Sequence, residues 1–301
     1  MAAGATLSAA VKLNYYQKKQ AGTTPLKKIW LAPAKINRFL HITGQREDGY
    51  HELQTVFQFL DYADELSFEV RDDSEIVLET PLAGVADKDN LVVKAARLLQ
   101  QKSSHPKGVN ICIRKKLPMG GGLGGGSSDA ATALAALNQL WNINLDKDEL
   151  AHLGLVLGAD VPIFVHGYAA WAEGVGENLS PVQLDEPWYV ILIPGVSVST
   201  AKIFSSDNLK RDCSPLDINR FQAGEGINVC EDVVCQQYPE VNDAIQWLSQ
   251  FAPARMTGTG ACVFAPVKSE AQAQEILQKK PDQIDGFYAR GCNISPLYSQ
   301  N

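Results

Sequence analysis

The 301 residues contain no CxxC pair, no glycine–lysine step of the Walker A kind, and no HRD or DFG triplet. Nor does any apolar run approach the roughly 20 residues that cross a bilayer. Each absence removes a class of protein. Zinc sites usually show close ligand pairs, which neither the five histidines nor the six cysteines supply. The cysteines (Cys112, Cys213, Cys230, Cys235, Cys262 and Cys292) are scattered and read as reduced thiols of a cytoplasmic protein. Lacking Walker A, HRD and DFG, the chain is neither a P-loop nucleotidase nor a protein kinase. Basic residues are in deficit, 27 Lys and Arg against 34 Asp and Glu, for a net charge of -7. Polyanion binding needs a basic face that releases counterions, so nucleic acid is not an expected partner, although a local pocket for one nucleotide remains compatible. No membrane association is expected either. The start, MAAGATLSAAVKL, lacks the basic region of a secretory signal, and residues 1–27 read as a flexible N-terminal extension or an organelle-targeting tail outside the fold.

What is present is an ordinary globular balance of 45% hydrophobic and 20% charged residues, in a chain long enough to bury a core without staples. From Lys28 to Leu78 the segments IWLAP, INRFLHITG, TVFQFLDY, DELSFEV and SEIVLET read as strands separated by polar turns. Asp89 or Asn90 then caps a helix whose Leu91, Ala95, Leu98 and Leu99 share a face. VNICIRKKL alternates as a half-buried strand should. Two helices follow: SSDAATALAALNQLW, with its serines as N-caps, and DKDELAHLGLVLG, closed by Gly158. After a hairpin through Gly174–Gly176 comes the apolar strand WYVILIPG. Beyond Val198 helices and strands mix. Strands early and mixed elements late predict an α+β protein of two lobes joined around 175–200. We set the lobes at residues 28–185 and 186–301.

Every residue from Gly120 to Gly126 is glycine except Leu123, and Ser127-Ser128-Asp129 opens a helix directly afterwards. Glycines let a backbone close on an anion, and a helix N-terminus adds unpaired N–H donors and partial positive charge. Strand, glycines and helix together predict a phosphate cradle rather than a linker. Gly120, Gly122 and Gly125 formally fit GxGxxG, with Asp146 at a suitable distance beyond. In so glycine-rich a run that match is nearly automatic, and the preceding strand alternates instead of being continuously apolar.

The stretch from Pro118 and Met119 through Gly120, Gly121, Gly122, Leu123, Gly124, Gly125 and Gly126 to Ser127 and Ser128 resembles the ATP loop of one superfamily. It is that of galactokinase, homoserine kinase, mevalonate kinase and phosphomevalonate kinase, the GHMP kinases. PAKINRFLHITGQREDGYHELQTVFQ, from Pro33 to Gln58, is similar to its N-terminal motif, and RMTGTGACVFA, from Arg255 to Ala265, to its C-terminal glycine motif. The likeness runs in order over about residues 29–298. PAKIN, REDGYHELQT, GADVPIFVHG and GCNISPL resemble, more narrowly, the members that phosphorylate a cytidine diphosphate alcohol in non-mevalonate isoprenoid synthesis.

The resemblance implies a two-lobed GHMP kinase architecture, with a first lobe like domain 2 of ribosomal protein S5 and a ferredoxin-like second lobe. The site would lie between them. It further implies ATP as co-substrate, Mg²⁺ held largely by the ATP phosphates with no dedicated protein metal site, a small-molecule acceptor, and a monomer or weak homodimer. Asp160 matches the catalytic aspartate. An aspartate is a weak base for an alcohol, so orientation and late proton acceptance fit better than prior deprotonation. Lys35 matches the motif lysine that assists it, and Asn37 would orient the acceptor. Tyr50 and His51 would read the cytosine, with Phe204 on its other face. Asn90 would border the adenine. Residue by residue, plainer readings stand beside these: Asp160 as a turn or cap, Lys35 as an exposed strand-end lysine, Tyr50 and Phe204 as core aromatics, Ser127 and Ser128 as helix caps, and Gly258-Thr259-Gly260 as a hairpin turn. A non-catalytic nucleotide sensor of the same fold, or a kinase for another alcohol, would also carry much of this pattern. An S5-like RNA-binding module conflicts with the acidic charge.

Overall fold

The computed structural model describes residues 28–299; the extension read over residues 1–27 lies outside them. A long hairpin organises the chain. The first four segments read as separate strands fuse into β1 (Trp30–Gln45) and β2 (His51–Arg71), paired antiparallel. Register shifts between Pro33 and Lys35, Asn37 and Leu40, and Ile42 and Gly44 bend β1 and re-aim its side chains. These bulges make the sequence read as shorter pieces.

Along β2 the partner changes. β5 (Ala170–Gly174) pairs with its first part, β10 (Asp285–Cys292) with Phe59 and Leu60, and β4 (Gly108–Arg114) with its end. The short β3 (Ile76–Leu78) runs parallel to β4, and β6 (Asn178–Pro181) closes a hairpin on β5. On the far side β10 pairs β7 (Trp188–Ile193), β7 pairs β9 (Val263–Val267), and β9 pairs the two-residue β8 (Arg255–Met256). The bond pair at Leu60–Gly291 thus joins both halves into one mixed sheet.

Two apolar cores sit on this sheet. The first packs β1, β2, β4 and β5 against the helices Leu91–Gln100, Gly125–Leu140, Lys147–Leu155 and Val161–His166. Ala130, Ala131, Ala133 and Ala136 are wholly buried in the Gly125–Leu140 helix, whose small side chains allow close approach from several sides. A helix gripped so completely holds its N-terminus in a fixed place. The second core packs β7 and β9 against the helices Glu231–Gln237, Pro239–Leu248 and Glu270–Gln278, and it also takes Leu40 and Ile42 from β1. Ala34, Ile36, Leu60, Leu123, Tyr189 and Phe264 form a third cluster at the junction.

Candidate active site

A cavity of about 1030 Å³ opens between the two cores, lined by the glycine loop, residues of β1 between Lys35 and Gln45, the first half of β2, the helix Thr200–Phe204 and the Gly258–Gly260 turn. The loop is glycine for two separate reasons. Gly122 and Gly124 have φ of 77° and 73°, where other residues are strained. A Cβ on Gly122 would lie 2.3 Å from the Thr257 carbonyl oxygen, and one on Gly124 2.7 Å from the Phe164 ring. The Cys262 amide donates to the Gly121 carbonyl (3.1 Å), and the Lys35 amide to the Leu123 carbonyl (3.0 Å). The loop is therefore fastened to both halves of the molecule.

Three expectations for this loop need correction. Gly124, not a serine, is the N-cap of the Gly125–Leu140 helix, because its left-handed φ turns the chain into the helix one step before the serines arrive. Leu123 does not line the cleft: its side chain is buried in the junction cluster. Ser128 is also absent from the lining, and its hydroxyl is buried without a partner. Ser127 does line the cleft, as do Pro118, Met119 and the remaining glycines. The first intrahelical bond runs from the Ser128 amide to the Gly124 carbonyl (2.8 Å). The amides of Gly125, Gly126 and Ser127 precede it, three donors at the cleft wall suited to phosphate.

Lys35 is 3% exposed, unlike a surface lysine, and its Nζ lies 3.2 Å from Asp160 Oδ2. It also donates to Asn37 Oδ1 (2.7 Å), while Asn37 Nδ2 donates to Thr55 Oγ1 (3.0 Å) and the Asn37 amide to Thr257 Oγ1 (2.9 Å). Thr55 in turn donates to the Phe39 carbonyl. This chain fixes the ammonium from below. Asp160 occupies the N-cap position of Val161–His166 but makes no side-chain cap bond, and its side chain is 36% exposed. Its carboxylate is thus free to serve the cleft. Sequence reasoning missed Thr55 and Thr257, although Thr257 stands inside the TGTG motif.

A second lysine lies nearby. Lys115 donates to both Asp64 and Asp129, and Asp64 further accepts the Lys116 and Leu117 amides. Asp129 sits two residues beyond Ser127. Burial, with the neighbouring Asp64 carboxylate, pushes the Asp129 carboxyl up to about 7 in spite of Lys115. Its Oδ1 is buried without a partner. The sequence hinted at this cluster only through the basic strand end Arg114-Lys115-Lys116.

The far end of the cleft is aromatic. Gly49, at φ 85°, completes the turn before Tyr50, which is 64% exposed and so is not a core tyrosine. His51 and Phe204 stack at 5.1 Å with 30° between their planes, and all three residues line the cavity. Burial, and then the Arg211 guanidinium, hold His51 below the usual histidine range. Asn90 also lines the cleft. Its Oδ1 caps the Leu91–Gln100 helix by accepting from the Val92 amide (2.9 Å), and its Nδ2 is buried without a partner. Gly258 and Gly260 have φ of 58° and 92° in the turn ahead of β9. Among the described residues no group of three or more His, Cys, Asp or Glu side chains is placed to hold a metal, and no helix is long and apolar enough to cross a membrane.

Residues 90–168 match the family model of the GHMP kinases N terminal domain, and residues 213–283 that of the GHMP kinases C terminal domain. The chain is 57% identical over 269 residues to a 4-diphosphocytidyl-2-C-methyl-D-erythritol kinase of Nitrosococcus oceani, covering 89% of this chain and 96% of that one. It is 54% identical to the same-named kinase of Shewanella sp. (strain W3-18-1), covering 90% and 96%. The crystal structure of a 4-(cytidine 5'-diphospho)-2C-methyl-D-erythritol kinase superposes with a TM-score of 0.77 at 31% identity, covering 88% of this chain and 99% of that one. A mevalonate kinase structure superposes with a TM-score of 0.65 at 18% identity, a likeness of fold.

Proposed function

Because the chain belongs to the 4-diphosphocytidyl-2-C-methyl-D-erythritol kinases of the GHMP kinase family, we propose that its cleft moves the γ-phosphoryl group of ATP to the 2-hydroxyl of that cytidyl alcohol. The product feeds non-mevalonate isoprenoid synthesis. The observation that carries the residue assignment is the buried Lys35 ammonium 3.2 Å from a half-open Asp160 carboxylate, beside the free amides of the glycine loop.

The acceptor oxygen attacks the γ-phosphorus, the bond from that phosphorus to the β,γ-bridging oxygen breaks, and ADP departs. The hydroxyl proton passes to Asp160 Oδ2 late in the transfer. Lys35 keeps the carboxylate aimed and offsets negative charge building on the transferring group. Gly125, Gly126 and Ser127 amides cradle the β-phosphate, and Asn90 Nδ2 offers a donor at the nucleotide's outer end. Mg²⁺ would neutralise charge on the phosphates, and Ser127, which lines the cleft, would offer it a protein oxygen. At the other end Tyr50 and Phe204 suit the two faces of a base, and His51 its rim. We further take the lobes as residues 28–185 and 186–301, and the protein as a cytoplasmic monomer or weak homodimer, which light scattering would decide.

The test is ADP release with the cytidyl alcohol beside homoserine, mevalonate and galactose, for the wild type and Asp160→Ala. Turnover with the cytidyl compound alone, collapsing in the variant, is the expected result. Turnover with another acceptor instead would overturn the substrate, and tight ATP binding without any turnover would point to a sensor.

A further inference from the structure

Arg211 does not itself line the cleft, yet two of the residues assigned to the base depend on it. Its Nε donates to His51 Nε2 (3.0 Å), its Nη2 to the carbonyls of Phe204 (2.8 Å) and Ser206 (2.9 Å), and its Nη1 to that of Leu209 (3.0 Å). A guanidinium has donors only. His51 Nε2 must therefore present its lone pair, which puts the proton of the neutral ring on Nδ1. Nδ1 makes no hydrogen bond among the described residues, and the ring lines the cavity. The remaining donors close the chain from Phe204 to Leu209 around the same side chain. One rigid fork, 160 positions along the chain from His51, thus links the first residue of β2 to a helix from the other half of the molecule. A lysine, with one point of charge, cannot meet ring and carbonyls together.

We propose that Arg211 is the positioning residue of the base clamp, holding His51 as an Nδ1–H donor aimed at an acceptor on the rim of the base and keeping Phe204 stacked beside it. This rests on the reading of Tyr50, His51 and Phe204 as the base subsite. The ring then offers the same donor to every incoming molecule, and the clamp is built before substrate arrives.

The first measurement is independent of that reading. In ligand-free protein with nitrogen-15 histidine, two-bond proton–nitrogen spectra, assigned with His51→Gln, are expected to place the His51 proton on Nδ1. In Arg211→Ala the proton is expected to move mainly to Nε2, the tautomer water favours. An Nε2–H signal in the wild type, or an unchanged Nδ1–H in the variant, would overturn the proposal. Kinetically, Arg211→Ala is expected to raise KM for the cytidyl acceptor by about tenfold, one lost hydrogen-bonded anchor, with smaller changes in kcat and in KM for ATP. Arg211→Lys, which can still donate to Nε2, is expected to keep the tautomer and recover only part of KM. It also serves should the alanine variant not fold. A shifted tautomer with an unchanged acceptor KM would overturn the clamp. Failure of the wild type to use the cytidyl acceptor would sink the proposed function, and the tautomer result would stand apart from it.

Discussion

Two lysines reach the same cleft and are built for opposite ends. Lys115 faces two carboxylates, Asp64 and Asp129, that are both almost fully buried, so every charge in the trio is committed to another. Lys35 is buried more deeply still, but its acidic partner Asp160 remains 36% exposed and is not used as a helix cap. The first arrangement clamps the end of β4 to the helix behind the glycine loop; the second leaves one carboxylate open to the cleft. Burial of a lysine is thus no guide to its role. The freedom of its partner is.

The contrast breaks most sharply on activity. Asp160→Asn is expected to lower kcat by about 10³-fold, with little change in KM for ATP and an intact far-ultraviolet circular dichroism spectrum. Lys35→Met should lose a comparable part of kcat. Steady-state ADP release would check both, and a kcat within a few-fold of wild type would place the chemistry elsewhere. Next comes stability. Lys115→Met leaves two buried carboxylates with no cation and is expected to cost about 3 kcal/mol in urea unfolding. Adding Asp64→Asn and Asp129→Asn to that variant should restore most of the loss, since the uncompensated charge goes with them. Unfolding of Lys115→Met at the wild-type midpoint would erase the distinction between the lysines.

The third effect is on pH. The Asp129 carboxyl is raised in the folded protein to about 7, above its unfolded value. Between those two values the folded state binds more protons than the unfolded one, so this group's contribution to stability is full at low pH and is lost as pH rises towards 7. Asp129→Asn is expected to flatten that slope in unfolding measurements from pH 4 to pH 8, and a parallel pair of curves would remove Asp129 from the account.

Much of the fold is legible in local chemistry. Asn90 and Asp146 each cap a helix that the sequence pattern begins there, Asp146 in a reciprocal box with Glu149. The glycine run is legible because so few structures need six glycines in seven positions. Gly124 as cap was not, since a serine looks like a better cap until the left-handed turn is known. Leu123 and Ser128 illustrate a second limit: within a loop, neighbours face opposite ways, and motif membership does not say which. Lys35 and Asp160 stand 125 residues apart, and only the fold brings them together. The Asp64–Lys115–Asp129 trio and the Arg211 fork are harder again, because charged residues at those spacings are indistinguishable from solvated ones until burial is known.

The first strand has one further bearing. Trp30 and Ala32 belong to one core, Leu40 and Ile42 to the other, and at the opposite end of the chain Ser295 and Tyr298 bond back to Gly167 and Val165. A gene cut near residue 186 would therefore leave one product without its closing tail and the other without a wall of its interior. The halves are not interchangeable cassettes. To graft a new acceptor preference onto this scaffold, an engineer would need to move Leu40 and Ile42 along with the second half while keeping the original C-terminal stretch, or confine the changes to the loops at the cleft mouth.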